Sequence, residues 1–265
     1  MEDLFYFKLI LAFAVGSTMV TLATVAAERL GSKIGGLIGG LPIAVSISLF
    51  FIGYVETPQL ASEATSAIPL TMGLNGLFLV VYVALAKWGA WMGMMGALLL
   101  WFVLASLVIL MNLNSFIFSL LMFIFSLVGS YRILENRFHL PSTEKIHVRY
   151  TPLQILSRAL FSGAMVSCAV YLSKTGGPIW GGIMAPFPTV YISTLIIMAK
   201  SKGVEFSRRM TKPLLVSGMT NVVAYSVAVR YFYLFFSLAL GTVLALGIAT
   251  MSAYGVYSFM KNKMS

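Results

Sequence analysis

The chain is 265 residues long, 59% hydrophobic and only 10% charged, with a mean hydropathy of +0.93. Those values exclude an ordinary soluble globular domain and point to a polytopic membrane protein whose apolar side chains face lipid. The formal net charge of +10 does not indicate nucleic acid, because the basic residues fall in short loops between apolar runs instead of along one stripe.

At about 20 apolar residues per crossing, spans are predicted near 4–27, 37–55, 65–86, 90–111, 114–131, 153–172, 179–199, 212–229 and 232–259. The first is read as a mature span, since Met1-Glu2-Asp3 is acidic where a signal peptide would be positive and the apolar run is too long for one. Asn112-Leu113-Asn114-Ser115 reads as a tight turn. Tyr231 to Met260 fits one long tilted helix or two short ones. The polar segment Arg132 to Pro152, with Pro141 and both histidines, His139 and His147, reads as a linker between two membrane halves.

Lys and Arg in short loops favour the cytoplasm. Arg29, Lys33, Lys87, the basic cluster from Arg132 to Arg158, the group Lys200, Lys202, Arg208, Arg209 and Lys212, and Lys261 and Lys263 all fall on one side of a nine-span layout. The other side receives Lys8, Lys174 and Arg230 with Glu2, Asp3, Glu56 and Glu63. The expected orientation is N-terminus outside and C-terminus cytoplasmic, in a plasma or inner membrane.

One stretch recurs. Ser32-Lys33 precedes Gly35-Gly36, Gly39-Gly40 and Pro42, and Ser173-Lys174 precedes Gly176-Gly177, Gly181-Gly182, Pro186 and Pro188. Further echoes follow in the same order: Ser17 to Thr21 with Ser162 to Ser167, and Ile68 to Asn75 with Lys212 to Asn221. Five spans separate each element from its counterpart, and an odd separation means opposite directions through the membrane. The expected fold is therefore an all-α polytopic membrane protein of nine transmembrane helices in two inverted-topology repeats, 1–131 with five spans and 153–265 with four, joined by the basic linker 132–152. Helices two and seven are expected to be interrupted by glycine and proline, near Gly35 to Pro42 and Gly176 to Pro188.

Paired interruptions at corresponding places mark the binding site of many secondary transporters, because broken backbone survives in lipid only where it is buried in protein or lines a cavity. Freed amides at helix starts favour anionic groups. The candidate substrate-binding set is Gly39, Gly40, Pro42, Ser46, Asn75, Gly181, Gly182, Pro186, Pro188, Thr189 and Asn221, with Lys33 and Lys174 as residues that attract an anion. Each has a plainer use. Glycines let helices approach closely, terminal lysines reach the headgroups, and buried amides bridge helices.

The predicted span interiors hold no Asp, Glu or His, which argues against a carboxylate proton relay. It also leaves a serine no base and a diphosphate no magnesium site, so no enzyme, cofactor or metal is expected. A single cysteine, Cys168, provides neither an intramolecular disulfide nor a CxxC metal site. The expected function is a small secondary transporter or exporter of a small polar or anionic solute. The alternatives are a channel or lipid-translocating protein and a non-transporting subunit of a larger membrane complex. Expected partners are the lipid bilayer and a small-molecule or ion substrate, with a homo-oligomer or membrane complex compatible and no nucleic acid.

Overall fold

A computed structural model describes residues 2–29, 40–140 and 151–263. Among them the regular structure is all helical, without strands, in the order α1 (Glu2–Arg29), α2 (Ile43–Val55), α3 (Pro58–Ala64), α4 (Ile68–Ala86), α5 (Ala90–Leu110) and α6 (Phe116–Asn136). Then come α7 (Pro152–Gly176), α8 (Pro178–Met184), α9 (Thr189–Lys202), α10 (Val204–Arg209), α11 (Met219–Phe235) and α12 (Leu238–Lys263). Seven stretches are long and apolar enough to cross a membrane: those of α1, α3 with α4, α5, α6, α7, α8 with α9, and α12. The chain has the character of a helical membrane protein.

Two expected spans look different in the structure. For span two the described residues contribute the 13 residues of α2, a length of about 20 Å, short of the ~30 Å hydrocarbon core; its expected start at 37–39, with Gly39, and Lys33 before it lie outside the described residues. Span eight is helical from Thr211 but not uniformly α. A π-helical turn at Leu214–Gly218 follows Pro213 and leads into α11. Boundaries shift elsewhere. Arg132 to Asn136, expected in the linker, continue α6, and Tyr231 to Phe235 belong to α11, so that α12 is one helix. The turn expected at Asn112 to Ser115 is present. Asn112 adopts φ +50°, Leu113 N donates to Val108 O and Asn112 N to Ile109 O, a Schellman closure that satisfies the last carbonyls of α5. Ser115 then caps α6 by accepting from Phe118 N.

Burial sorts the helices into a centre and a surround. In the apolar windows of α3–α4 and of α8–α9, 72% of the residues are buried, against 33% or less in the other five. The surrounding helices direct large apolar side chains outward, such as Leu99 and Leu110 on α5, Ile117 and Phe125 on α6, and Val243 and Met251 on α12, as lipid contact requires. Helices α1 and α7 cross through small residues. A Cβ added at Gly16 would lie 3.1 Å from the Val166 side chain and 3.4 Å from Gly163 Cα, and one at Gly163 would overlap Ser17 Oγ. Close backbone approach of this kind is how helices associate where lipid removes any hydrophobic drive between them. The Ser167 hydroxyl reinforces the crossing by donating to Leu9 O at 2.9 Å.

Candidate functional site

The interruptions are made by proline. At Pro42 (φ −80°, ψ 50°) and Pro188 (φ −73°, ψ 38°) the chain makes the same step immediately before a helix, α2 or α9. Ile43 N donates to Leu41 O at 2.9 Å and Thr189 N to Phe187 O at 2.7 Å, so each proline is the centre of a three-residue inverse γ-turn. The helix then begins on the proline's own carbonyl, which accepts from Ser46 N in one case and Ile192 N in the other, both at 2.8 Å. Ser46 Oγ also donates to Pro42 O at 2.8 Å. Among the described residues of the two breaks, glycine contributes at one point only: Gly177, at φ +95°, separates α7 from α8. Gly181 and Gly182 are buried inside α8, and a proline, lacking an N–H, is what forces the exit.

Each interruption is held by an asparagine from another part of the chain. On α4, Asn75 Nδ2 donates to Pro186 O at 2.8 Å and lies 3.5 Å from Met72 Sδ, while Asn75 Oδ1 accepts from Trp101 Nε1 at 2.8 Å. Asn75 and Trp101 are each 1% exposed. Aromatic rings close the site: Phe187 meets Trp101 edge-on at 4.9 Å between centroids, and Phe102 and Phe161 flank Phe187. On α11, Asn221 is fully buried. Its Nδ2 donates to Gly40 O at 3.0 Å and reaches Ser217 Oγ at 3.4 Å, and its Oδ1 accepts from Ser252 Oγ on α12 at 2.9 Å. The same 146 positions separate Asn75 from Asn221 (221 − 75), Gly40 from Pro186 (186 − 40) and Pro42 from Pro188 (188 − 42). In each case the helix after the asparagine's own, α5 or α12, supplies the donor to its oxygen. Trp101 and Ser252 were not among the residues expected at the site.

The surroundings of Asn221 are more polar and less completely paired. Tyr191, 6% exposed, ends against Gly218, where an added Cβ would sit 2.5 Å from its hydroxyl. That hydroxyl has no hydrogen-bond partner; the buried Tyr225 lies one turn after Asn221. Tyr225 faces Ser46, Tyr233 and Thr242, of which the last two bond each other at 2.7 Å.

The other expected residues take structural positions. A Cβ at Gly182 would overlap the Ala64 carbonyl oxygen, and one at Gly181 would come within 2.6 Å of Ser173 Cβ. These glycines seat α8 against α3 and α7. Thr189 is buried, with its hydroxyl 3.4 Å from Phe187 O. Pro186 and Pro188 are buried. Lys174 is exposed in the last turn of α7, where a cation complements the helix dipole.

Charged groups gather at two ends. At one, Lys8 Nζ donates to Tyr54 O at 3.0 Å, Ser173 Oγ to Glu56 Oε1 at 2.7 Å, and Arg230 to Ser66 Oγ at 2.9 Å, with Ser62 Oγ donating to Arg230 O at 2.7 Å. At the other, Arg208 Nε donates to Val83 O at 3.2 Å, and Lys212, 3% exposed, pairs with Glu135 of α6. Lys212 is read from sequence as a loop charge. Its burial depends on Glu135, a carboxylate 77 positions away (212 − 135), and no local pattern signals that pairing.

No family model, curated protein or solved structure matches this chain. What its structure defines is a helical membrane protein with two proline-broken segments, each capped by a buried asparagine.

Proposed function

We propose that this chain is a small secondary transporter or exporter that moves a small polar or anionic solute by alternating access between two inverted halves of five and four crossings. The observation that carries the reading is the reciprocal bonding. Asn75 of the first half holds the broken backbone of the second at Pro186, and Asn221 of the second holds the broken backbone of the first at Gly40. Exchange at one constant offset is what an internal repeat with its site at the repeat interface requires. The crossing of α1 and α7 at Gly16 and Gly163, 147 positions apart (163 − 16) and so within one residue of that offset, supports the same relation.

In this reading the solute lies between broken spans two and seven, flanked by α4 and α11, and one half rocks against the other to expose it. The distribution of Lys and Arg supports an N-terminus outside and a C-terminus in the cytoplasm. A thermal-shift screen of the purified protein against metabolites supplies the solute, since a ligand that binds the folded state stabilises it by mass action. Flux of that solute into proteoliposomes then tests the mechanism. Asn221→Ala is expected to abolish flux in a protein that still folds; undiminished flux contradicts a site at the breaks.

A further inference from the structure

We infer that Asn221 is a sodium-responsive switch: a monovalent cation binds between Gly40 O, Ser217 Oγ and Asn221 Oδ1 when the asparagine amide turns over. The inference deepens the transporter reading by naming its coupling ion, and it starts from what each neighbour can and cannot do.

Around Asn75 the amide has one allowed orientation. The Trp101 indole N–H only donates and the Pro186 carbonyl only accepts, so Oδ1 must face Trp101 and Nδ2 must face Pro186. Turning the amide would set donor against donor and acceptor against acceptor in a dry site. Around Asn221 the constraint is looser. Ser252 and Ser217 are hydroxyls that donate or accept, and Gly40 O alone fixes the amide as it stands.

The Nδ2 group now lies between two oxygens, Gly40 O at 3.0 Å and Ser217 Oγ at 3.4 Å, and its partial positive charge holds them together. A bare monovalent cation does the same more strongly. With it in place, Asn221 Oδ1 turns inward as a third oxygen ligand and Nδ2 turns out to donate to Ser252 Oγ, whose own proton, released from Oδ1, turns to a carbonyl one turn back in α12. An independent feature supports the site. The Tyr191 hydroxyl, unpartnered and 6% exposed, ends on Gly218, in the turn between Ser217 and Asn221. A buried hydroxyl left without a partner is costly, and it becomes a further oxygen for the ion. The ligand class follows from the donor set. Uncharged carbonyl, amide and hydroxyl oxygens, with no carboxylate among these residues, suit an alkali cation; divalent sites recruit carboxylates. Broken-helix carbonyls are suited to such an ion at membrane depth.

The test is the melting temperature of the purified full-length protein in NaCl, KCl and choline chloride at matched ionic strength. Sodium is expected to raise it selectively and saturably, Ser217→Ala to raise the half-saturating sodium concentration about tenfold, equivalent to about 1.4 kcal/mol, and Ser48→Ala to leave it unchanged, because Ser48 Oγ bonds only its own helix at Ala44 O. Equal melting temperatures in the three salts, or an unaltered sodium response in Ser217→Ala, would overturn the inference. A solute that stabilises the protein and crosses proteoliposomes without sodium defeats the switch and leaves the transporter reading standing. Selective sodium stabilisation with no solute flux does the reverse.

Discussion

Around Asn75 each polar neighbour has a single hydrogen-bonding role, whereas around Asn221 two of the three can donate or accept. The first site is sealed by Trp101, Phe187, Phe102 and Phe161; the second is lined by Ser217, Ser252 and Tyr191, whose hydroxyl lacks a partner. Both asparagines cap a broken segment, but the first cap is rigid and the second is adjustable. If the chain moves as a transporter, this difference assigns the fixed attachment to Asn75 and the working one to Asn221.

Substitutions sharpen or break that contrast. The largest effect is expected at the seat of α8 beside the rigid cap. Gly182→Ala drives a Cβ into the Ala64 backbone carbonyl, which cannot swing aside as a side chain would, and should cost about 3 kcal/mol in reversible unfolding from detergent; a neutral result would mean that α8 is free to shift. Next comes Asn75→Ala. It strands the Trp101 N–H and the Pro186 carbonyl where neither finds water, for about 2 kcal/mol. Asn221→Ala should cost only about 1 kcal/mol, because Ser217 and Ser252 can turn to carbonyls of their own helices. Equal losses at the two asparagines, measured in the same unfolding assay, would erase the distinction between a rigid and an adjustable cap. Smallest is Gly247→Ala on α12, where nothing lies within 4 Å of the added Cβ; it should stabilise by about 0.5 kcal/mol through helix propensity, and a loss would reveal an unrecognised contact along the helix that carries Ser252.

The legible part of this protein in its sequence is what lipid forces into view. Polar residues are rare inside apolar spans, so Asn75 and Asn221 stand out, and their matching places after the glycine and proline stretches link them to the breaks. Their partners do not stand out. Pro186 and Gly40 contribute carbonyls, which every residue has. Trp101 reads as apolar bulk in the α5 run, and Ser252 as one small residue among many. The glycines divide for a physical reason: glycine permits a kink without requiring one, so Gly177 turns the chain between α7 and α8 at φ +95° while Gly181 and Gly182 stay helical and serve packing, and Pro188 makes the step into α9. Lys212 reads as a loop charge because its burial depends on Glu135, a residue distant in sequence. The helix ends were readable where chemistry is local, as at Asn112 and Ser115. They were not at Arg132 to Asn136, where a polar composition hides a helix that simply continues.

The central proposal is that two oppositely directed halves cap one another's breaks. Its most direct test is single-cysteine labelling at positions 33 and 174 in a Cys168→Ser background, with a membrane-impermeant maleimide applied to each face of oriented vesicles. Labelling of the two positions from opposite faces is the predicted result, and labelling of both from the same face would contradict the inverted arrangement.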